Sequence, residues 1–153
     1  MSTEAQAMAQ QAHLDDPKSS VDVFELPCGY LTPDKELWRH VKLREIDGEC
    51  EDNFLDNIRI NGFEGRIEYR VGSSEMLKPN ERFDLILCNI LFQNAEPHLT
   101  KIARQLADKG CLILSGYLTE ESGAVRRRIQ GTGLQVASHS EQEEWGALVA
   151  QRQ

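Results

Sequence analysis

Apolar and polar positions along this chain fall into short alternating runs separated by stretches with helical spacing. Val21 to Leu26 alternates weakly and predicts a first strand, after which Thr32 stands as N-cap to a helix opened by Pro33-Asp34 and running to about His40. Val41 to Ile46 predicts a second strand. A helix follows Asp47-Gly48, with Cys50, Phe54, Leu55 and Ile58 on one face and a stop at Asn61-Gly62. Arg66 to Val71 alternates as a third strand, and Lys78-Pro79-Asn80 reads as a turn. The run Phe83 to Leu91 is almost continuously apolar, the pattern of a strand covered on both faces, and is the candidate centre of a sheet.

The spacing of Leu99, Ile102, Ala103, Leu106 and Ala107 predicts a helix over Pro97 to Lys109, ended by Gly110. Cys111 to Tyr117 is the fifth strand. Thr119 is the expected cap of a helix with Ala124, Val125 and Ile129 on its apolar face, broken by Gly131-Thr132-Gly133. Leu134 to Ser138 and Trp145 to Gln151 are separated by a short connection and predict an antiparallel pair. Five alternating units and a terminal hairpin predict an α/β, Rossmann-like, doubly wound fold. Its seven-stranded sheet is mostly parallel, with a reversed strand from the hairpin. The segment before Val21 is rich in Ala, Gln and Ser and is expected to be a disordered tail, leaving 21–153 as one domain.

Composition narrows the function classes. A formal net charge of −8 disfavours general binding to a phosphate backbone, since that affinity comes mostly from Lys and Arg displacing counterions. Arg126-Arg127-Arg128 is a local exception that fits the solvated face of a helix. No apolar run approaches the ~20 residues that cross a bilayer. The first 20 residues lack a basic start followed by an apolar stretch, so a cytoplasmic location is expected. Cys28, Cys50, Cys88 and Cys111 are widely spaced, with no close pair of the kind that binds zinc or exchanges disulfides, and no metal site is expected with His13, His40, His98 or His139. Trp38 and Trp145 read as packing residues.

In nucleotide-binding α/β folds the first strand-to-helix turn holds the ligand, and glycines there let the backbone approach it. Here Phe24, Glu25, Leu26 and Pro27 fill that turn with side chains before Cys28 and Gly29. Asn89 ends the apolar fourth strand at the edge where such ligands lie, although Asn is also a plain turn former. Ser115 and Gly116 mark a close approach at the end of the fifth strand.

Three strings carry a resemblance. They are Glu45-Ile46-Asp47 with Asp56 to Gly62, the run Phe83 to Leu91 ending in Asn-Ile-Leu, and Leu112 to Leu118 with Glu120-Glu121 and finally Glu144 to Val149. This order resembles the class I S-adenosylmethionine-dependent methyltransferases, most closely the bacterial family that modifies ribosomal protein eleven of the large subunit. The resemblance implies S-adenosylmethionine as cofactor and a protein as possible substrate. It implies Glu45 as acceptor for the ribose hydroxyls, Asn89 as the catalytic-edge residue beside the methyl donor, and Asp22 near the acid of the first strand. Gly29 would be the remnant of the glycine-rich turn, and Ser73 with Glu75 would stand where the family places an acid toward the adenine amine. The family's separate N-terminal recognition domain is not expected in the short polar segment before Val21. The altered first turn leaves two functions open: a methyltransferase-like enzyme with weakened or lost cofactor binding, or a catalytically inactive scaffold or protein-binding module of the same fold. An N-terminal segment that is an altered reading of an ancestral gene is a further possibility, with similarity beginning near Glu45.

Overall fold

The computed structural model describes residues 21–24, 41–45, 51–65, 67–72 and 77–153. The expected helix from Thr32 to His40, the altered turn up to Gly29, Ser73, Glu75, Cys50, Trp38 and the N-terminal 20 residues lie outside them. For Asp22 and Glu45 the description is of the backbone.

Five strands run parallel in the order β3 (Ile67–Val71), β2 (Val41–Glu45), β1 (Val21–Phe24), β4 (Phe83–Asn89) and β5 (Leu106–Leu118). Beyond β5 lies β7 (Trp145–Gln151), antiparallel to it, and β6 (Gln135–Gln142) closes the far edge of this seven-stranded mixed sheet. The chain therefore steps outward from β1 to β3, then returns to the other side of β1 to lay down β4. The reversal of direction between β1 and β4 is the kind of switch point at which open α/β sheets bind ligands.

β4 holds the middle of this order, and its Leu85, Ile86, Leu87 and Cys88 are all buried. Burial on both pleat faces is the reason for the unbroken apolar run. On one face Ile86, Cys88, Leu112, Leu114, Leu148 and Ala150 pack into a single core with Leu99, Ile102 and Ala103 of one helix and Val125 and Ile129 of another. Full burial of each such aliphatic side chain contributes about 2 kcal/mol.

Of the helix expected over 97–109 only part forms: after α2 (Phe92–Ala95) come a 3-10 turn (Glu96–His98) and α3 (Leu99–Gln105), and from Leu106 on the chain is strand. Strand pairing overrides helical spacing at Leu106, which pairs with Phe83. Lys109 takes a left-handed φ of 64°, and a Cβ on Gly110 would lie 2.8 Å from the carbonyl oxygen of Ala107 and 3.0 Å from that of Phe83, so the chain turns tightly there. Arg152 Nη1 donates to the carbonyl of Leu106 at 2.9 Å, and to those of Ala103 and Arg104 at 3.4 Å. A guanidinium thus serves the open carbonyl end of α3.

Smaller differences have local causes. α1 (Glu51–Asn61) buries Ile58, but Leu55, expected beside it, is 47% exposed. Its stop is as expected, with Gly62 at a φ of 70°. Thr119, the expected cap, lies instead inside a 3-10 turn (Thr119–Glu121), where the Glu121 carboxylate accepts the Leu118 backbone N–H at 2.8 Å, and α4 (Ser122–Gln130) follows with no side-chain cap of its own. Ala124 is exposed, whereas Val125 and Ile129 are buried. Arg126, Arg127 and Arg128 are exposed, and Arg128 Nε lies 3.1 Å from Glu96 Oε1 in a solvated pair worth about 0–1 kcal/mol. Among the described residues no helix is long and apolar enough to cross a membrane.

Candidate active site

Strand register brings separate parts of the sequence to one level. Phe24 pairs with Arg44 on one side and Cys88 on the other, so Glu45 and Asn89 stand one step further on, flanking the end of β1. Their backbones are two strand spacings apart, about 10 Å. On one side the row continues to Val71, paired with Glu45; on the other it continues through Ser115, Ala147 and Ser140. Asp22 pairs with Lys42 and Ile86, three steps short of that level, or about 10 Å back along the strand.

Asn89 is half-buried, and its Oδ1 accepts a hydrogen bond from Ser115 Oγ at 2.9 Å. The next residue, Gly116, has a φ of +86° and falls where the β5–β7 register skips from Ser115 to Tyr117. A Cβ on it would lie 2.9 Å from the Ile90 carbonyl oxygen and 3.1 Å from Asn89 Oδ1. The bulge therefore requires glycine twice, for its left-handed backbone and for the close approach of β4.

These residues form one wall of a cavity of about 660 Å³, whose other lining includes Ile90, Glu141 and Trp145. That volume is in the range of small-molecule sites. Trp145 was expected to pack in the interior but is 44% exposed, because it begins β7 at the cavity rim. Glu141 accepts a hydrogen bond from Ser122 Oγ at 2.8 Å, and His139 Nε2 lies 3.0 Å from the same carboxylate oxygen. The Ser122 hydroxyl, followed by His139, holds the Glu141 carboxyl below its ordinary range, so the carboxylate is ionised at neutral pH. Behind the cavity, the Tyr117 hydroxyl is buried without a hydrogen-bond partner among the described residues. Burial, and then the charge of Glu141, push it up to about 12 against a smaller lowering by Arg126.

Of the residues singled out in the sequence, the structure thus joins Asn89, Ser115 and Gly116 and sets the backbone of Glu45 level with them. Glu141, Ser140 and Trp145 were missed as site residues. The nearest signal was the string from Glu144 to Val149, which was read for its family resemblance, with Trp145 taken as a packing residue. Among the described residues no group of three or more His, Cys, Asp or Glu side chains could hold a metal ion.

Comparison with known proteins agrees with this fold. The sequence profile of the family described as ribosomal protein L11 methyltransferase matches residues 46–153. The ribosomal protein L11 methyltransferase of Agathobacter rectalis is 24% identical in an alignment of 151 positions that covers 92% of this chain and 47% of that protein. The protein of that name from Syntrophotalea carbinolica is 35% identical over 104 residues, 68% of this chain and 33% of its own length. The chain thus spans about half or less of these relatives. A ribosomal protein L11 methylase structure from Lactobacillus delbrueckii subsp. bulgaricus superimposes with a TM-score of 0.78 at 19% identity, covering 100% of this chain and 80% of that one. The N-methyltransferase NodS from Bradyrhizobium japonicum, crystallised with S-adenosyl-l-homocysteine, gives 0.68 at 11% identity, covering 97% of this chain and 86% of its own. At these identities the structural matches speak for the fold.

Proposed function

Because the chain belongs to the ribosomal protein L11 methyltransferase family, we propose that it is a class I methyltransferase-like domain for S-adenosylmethionine in which cofactor binding is weakened. In this reading the sheet is the complete seven-stranded, doubly wound unit with its reversed strand, residues 21–153 are the domain, and the protein acts in the cytoplasm on a protein substrate. One observation carries the proposal: Asn89 ends the central strand, level with Glu45 across β1, at the wall of a cavity of about 660 Å³. Gly116, on the same wall, puts no side chain into that cavity.

S-adenosylmethionine, when bound, supplies an electrophilic methyl group. The residues then need mainly to align a nucleophilic lone pair with it, so no base is required. Glu45 has two carboxylate acceptors suited to ribose hydroxyls, with Ser73 and Glu75 placed by sequence on the adenine side. Gly29 would serve the turn after β1, and Asp22, three steps back, would organise that turn. Asn89 is the catalytic-edge residue, orienting the acceptor by directed hydrogen bonds. Phe24, Glu25, Leu26 and Pro27 support the weakening, since side chains replace glycines and Pro27 removes one backbone donor. The same four residues favour, as a second reading, a catalytically inactive scaffold or protein-binding module.

A crystal soaked with S-adenosylhomocysteine tests the placement. The proposal expects its ribose at Glu45 and its sulfur near Asn89. Density at a different edge of the sheet, with these residues bare, would refute it.

A further inference from the structure

We infer that Ser115 is a positioning residue that fixes the side-chain amide of Asn89 with its Nδ2 end presented to the cavity. The inference rests on the reading of Asn89 given above and adds to it the group that holds the amide in place.

Asn89 and Ser115 are direct partners in the parallel register of β4 and β5, and both line the cavity. An Asn amide rotates about a soft final torsion, and its two ends differ chemically: Oδ1 only accepts and Nδ2 only donates. At the end of a strand, with open space in front, nothing in the backbone selects one end. The Ser115 hydroxyl ties the Oδ1 end to β5 by donating to it at 2.9 Å. Among the described residues Nδ2 has no hydrogen-bond partner, so both of its protons remain for whatever enters the cavity. The neighbouring backbone reinforces this arrangement. Gly116, at a φ of +86°, follows at once, and a Cβ there would sit 3.1 Å from Oδ1, so only a residue without one leaves the Asn89–Ser115 contact undisturbed. Ser115 itself sits just before the register skip, so the bulge sets the height at which its hydroxyl meets the amide.

Three replacements separate the hydroxyl from the space it fills. Ser115→Ala removes it, Ser115→Cys keeps the volume with a weak donor, and Ser115→Thr keeps the donor. The first readout is the order parameter of the Asn89 side-chain amide by nitrogen-15 relaxation, assigned by its absence in Asn89→Asp, and it needs no turnover. A rigid amide is expected in the unsubstituted protein and in Ser115→Thr, and a value below about 0.6 in Ser115→Ala and Ser115→Cys. The second readout is methyl transfer from S-adenosylmethionine to purified ribosomal protein L11 as probe. There kcat should fall about tenfold in the Ala and Cys variants and recover in Thr, while S-adenosylhomocysteine affinity stays within about twofold. An amide equally ordered in Ser115→Ala overturns the inference. So does a loosened amide with unchanged kcat, or a Thr variant no better than Cys. Absence of transfer by the unsubstituted protein would count against the enzymatic function, and the relaxation arm would still decide the contact.

Discussion

Tyr117 lies flat over Gly146 across the β5–β7 ladder, its ring filling the place where a side chain would be: a Cβ there would stand 2.7 Å from Cζ and 2.8 Å from Cδ2. The pair closes the sheet directly behind the cavity, because Gly146 also lines it. Gly146→Ala should therefore destabilise the fold by about 1–3 kcal/mol through overpacking. Chemical denaturation of the single variants and of Gly146→Ala with Tyr117→Ala checks this. The two effects must be strongly non-additive, and simple addition would show that the ring does not occupy that space.

The hydroxyl of the same tyrosine is buried without a partner among the described residues. Tyr117→Phe should accordingly stabilise the protein by about 1 kcal/mol, the order of cost for an unpaired buried polar group. The sign of its pH dependence follows from the raised value. The folded state prefers the neutral phenol, so stability is full below the ordinary value of 10 and declines as pH rises toward about 12. Urea midpoints measured across that interval should fall less steeply in Tyr117→Phe, and identical slopes would contradict the assignment.

Cys88 and Cys111 are buried, and burial pushes the Cys111 thiol up to about 11. Since the thiolate is the reactive form, both should resist iodoacetamide at pH 8 in the native protein and react after unfolding. Peptide mass spectrometry reads each site separately. Native labelling of Cys111 at the rate of an unfolded control would place it outside the core.

The sequence reveals different parts of this molecule to different degrees. β4 was legible because both its faces are covered, so Leu85, Ile86, Leu87 and Cys88 all had to be apolar. The end of α3 was not. Leu106 and Ala107 continue the helical stripe of Leu99, Ile102 and Ala103, and only the pairing of Leu106 with Phe83 turns that segment into strand. At the site, Asn89 and Ser115 were each visible as polar residues ending apolar strands. Their contact depends on a register set by the intervening helices, which local pattern does not encode. Trp145 was misread for a related reason. Its alternation with Ala147 and Val149 marks a face of β7, but whether the end of that face is covered is decided by how the hairpin meets β4 and β5.

The two halves of the cofactor reading can be separated by substitution. Glu45→Ala should weaken whatever S-adenosylmethionine binding exists by about 1.5–3 kcal/mol, the value of a charge-assisted hydrogen bond. Replacing Phe24-Glu25-Leu26-Pro27 by a glycine-rich turn should strengthen it. Titration calorimetry on both variants checks the pair of effects. No gain from the turn replacement would remove steric filling as the obstacle, and no loss at Glu45 would remove that carboxylate from the site.

The most direct test of the whole account is calorimetric titration of the unaltered chain with S-adenosylmethionine. The account predicts heat of binding that saturates only well above the micromolar range and is weakened further in Glu45→Ala. A low-micromolar dissociation constant, equivalent to about 7–8 kcal/mol, would contradict the claim that the turn after β1 has weakened the methyl-donor site.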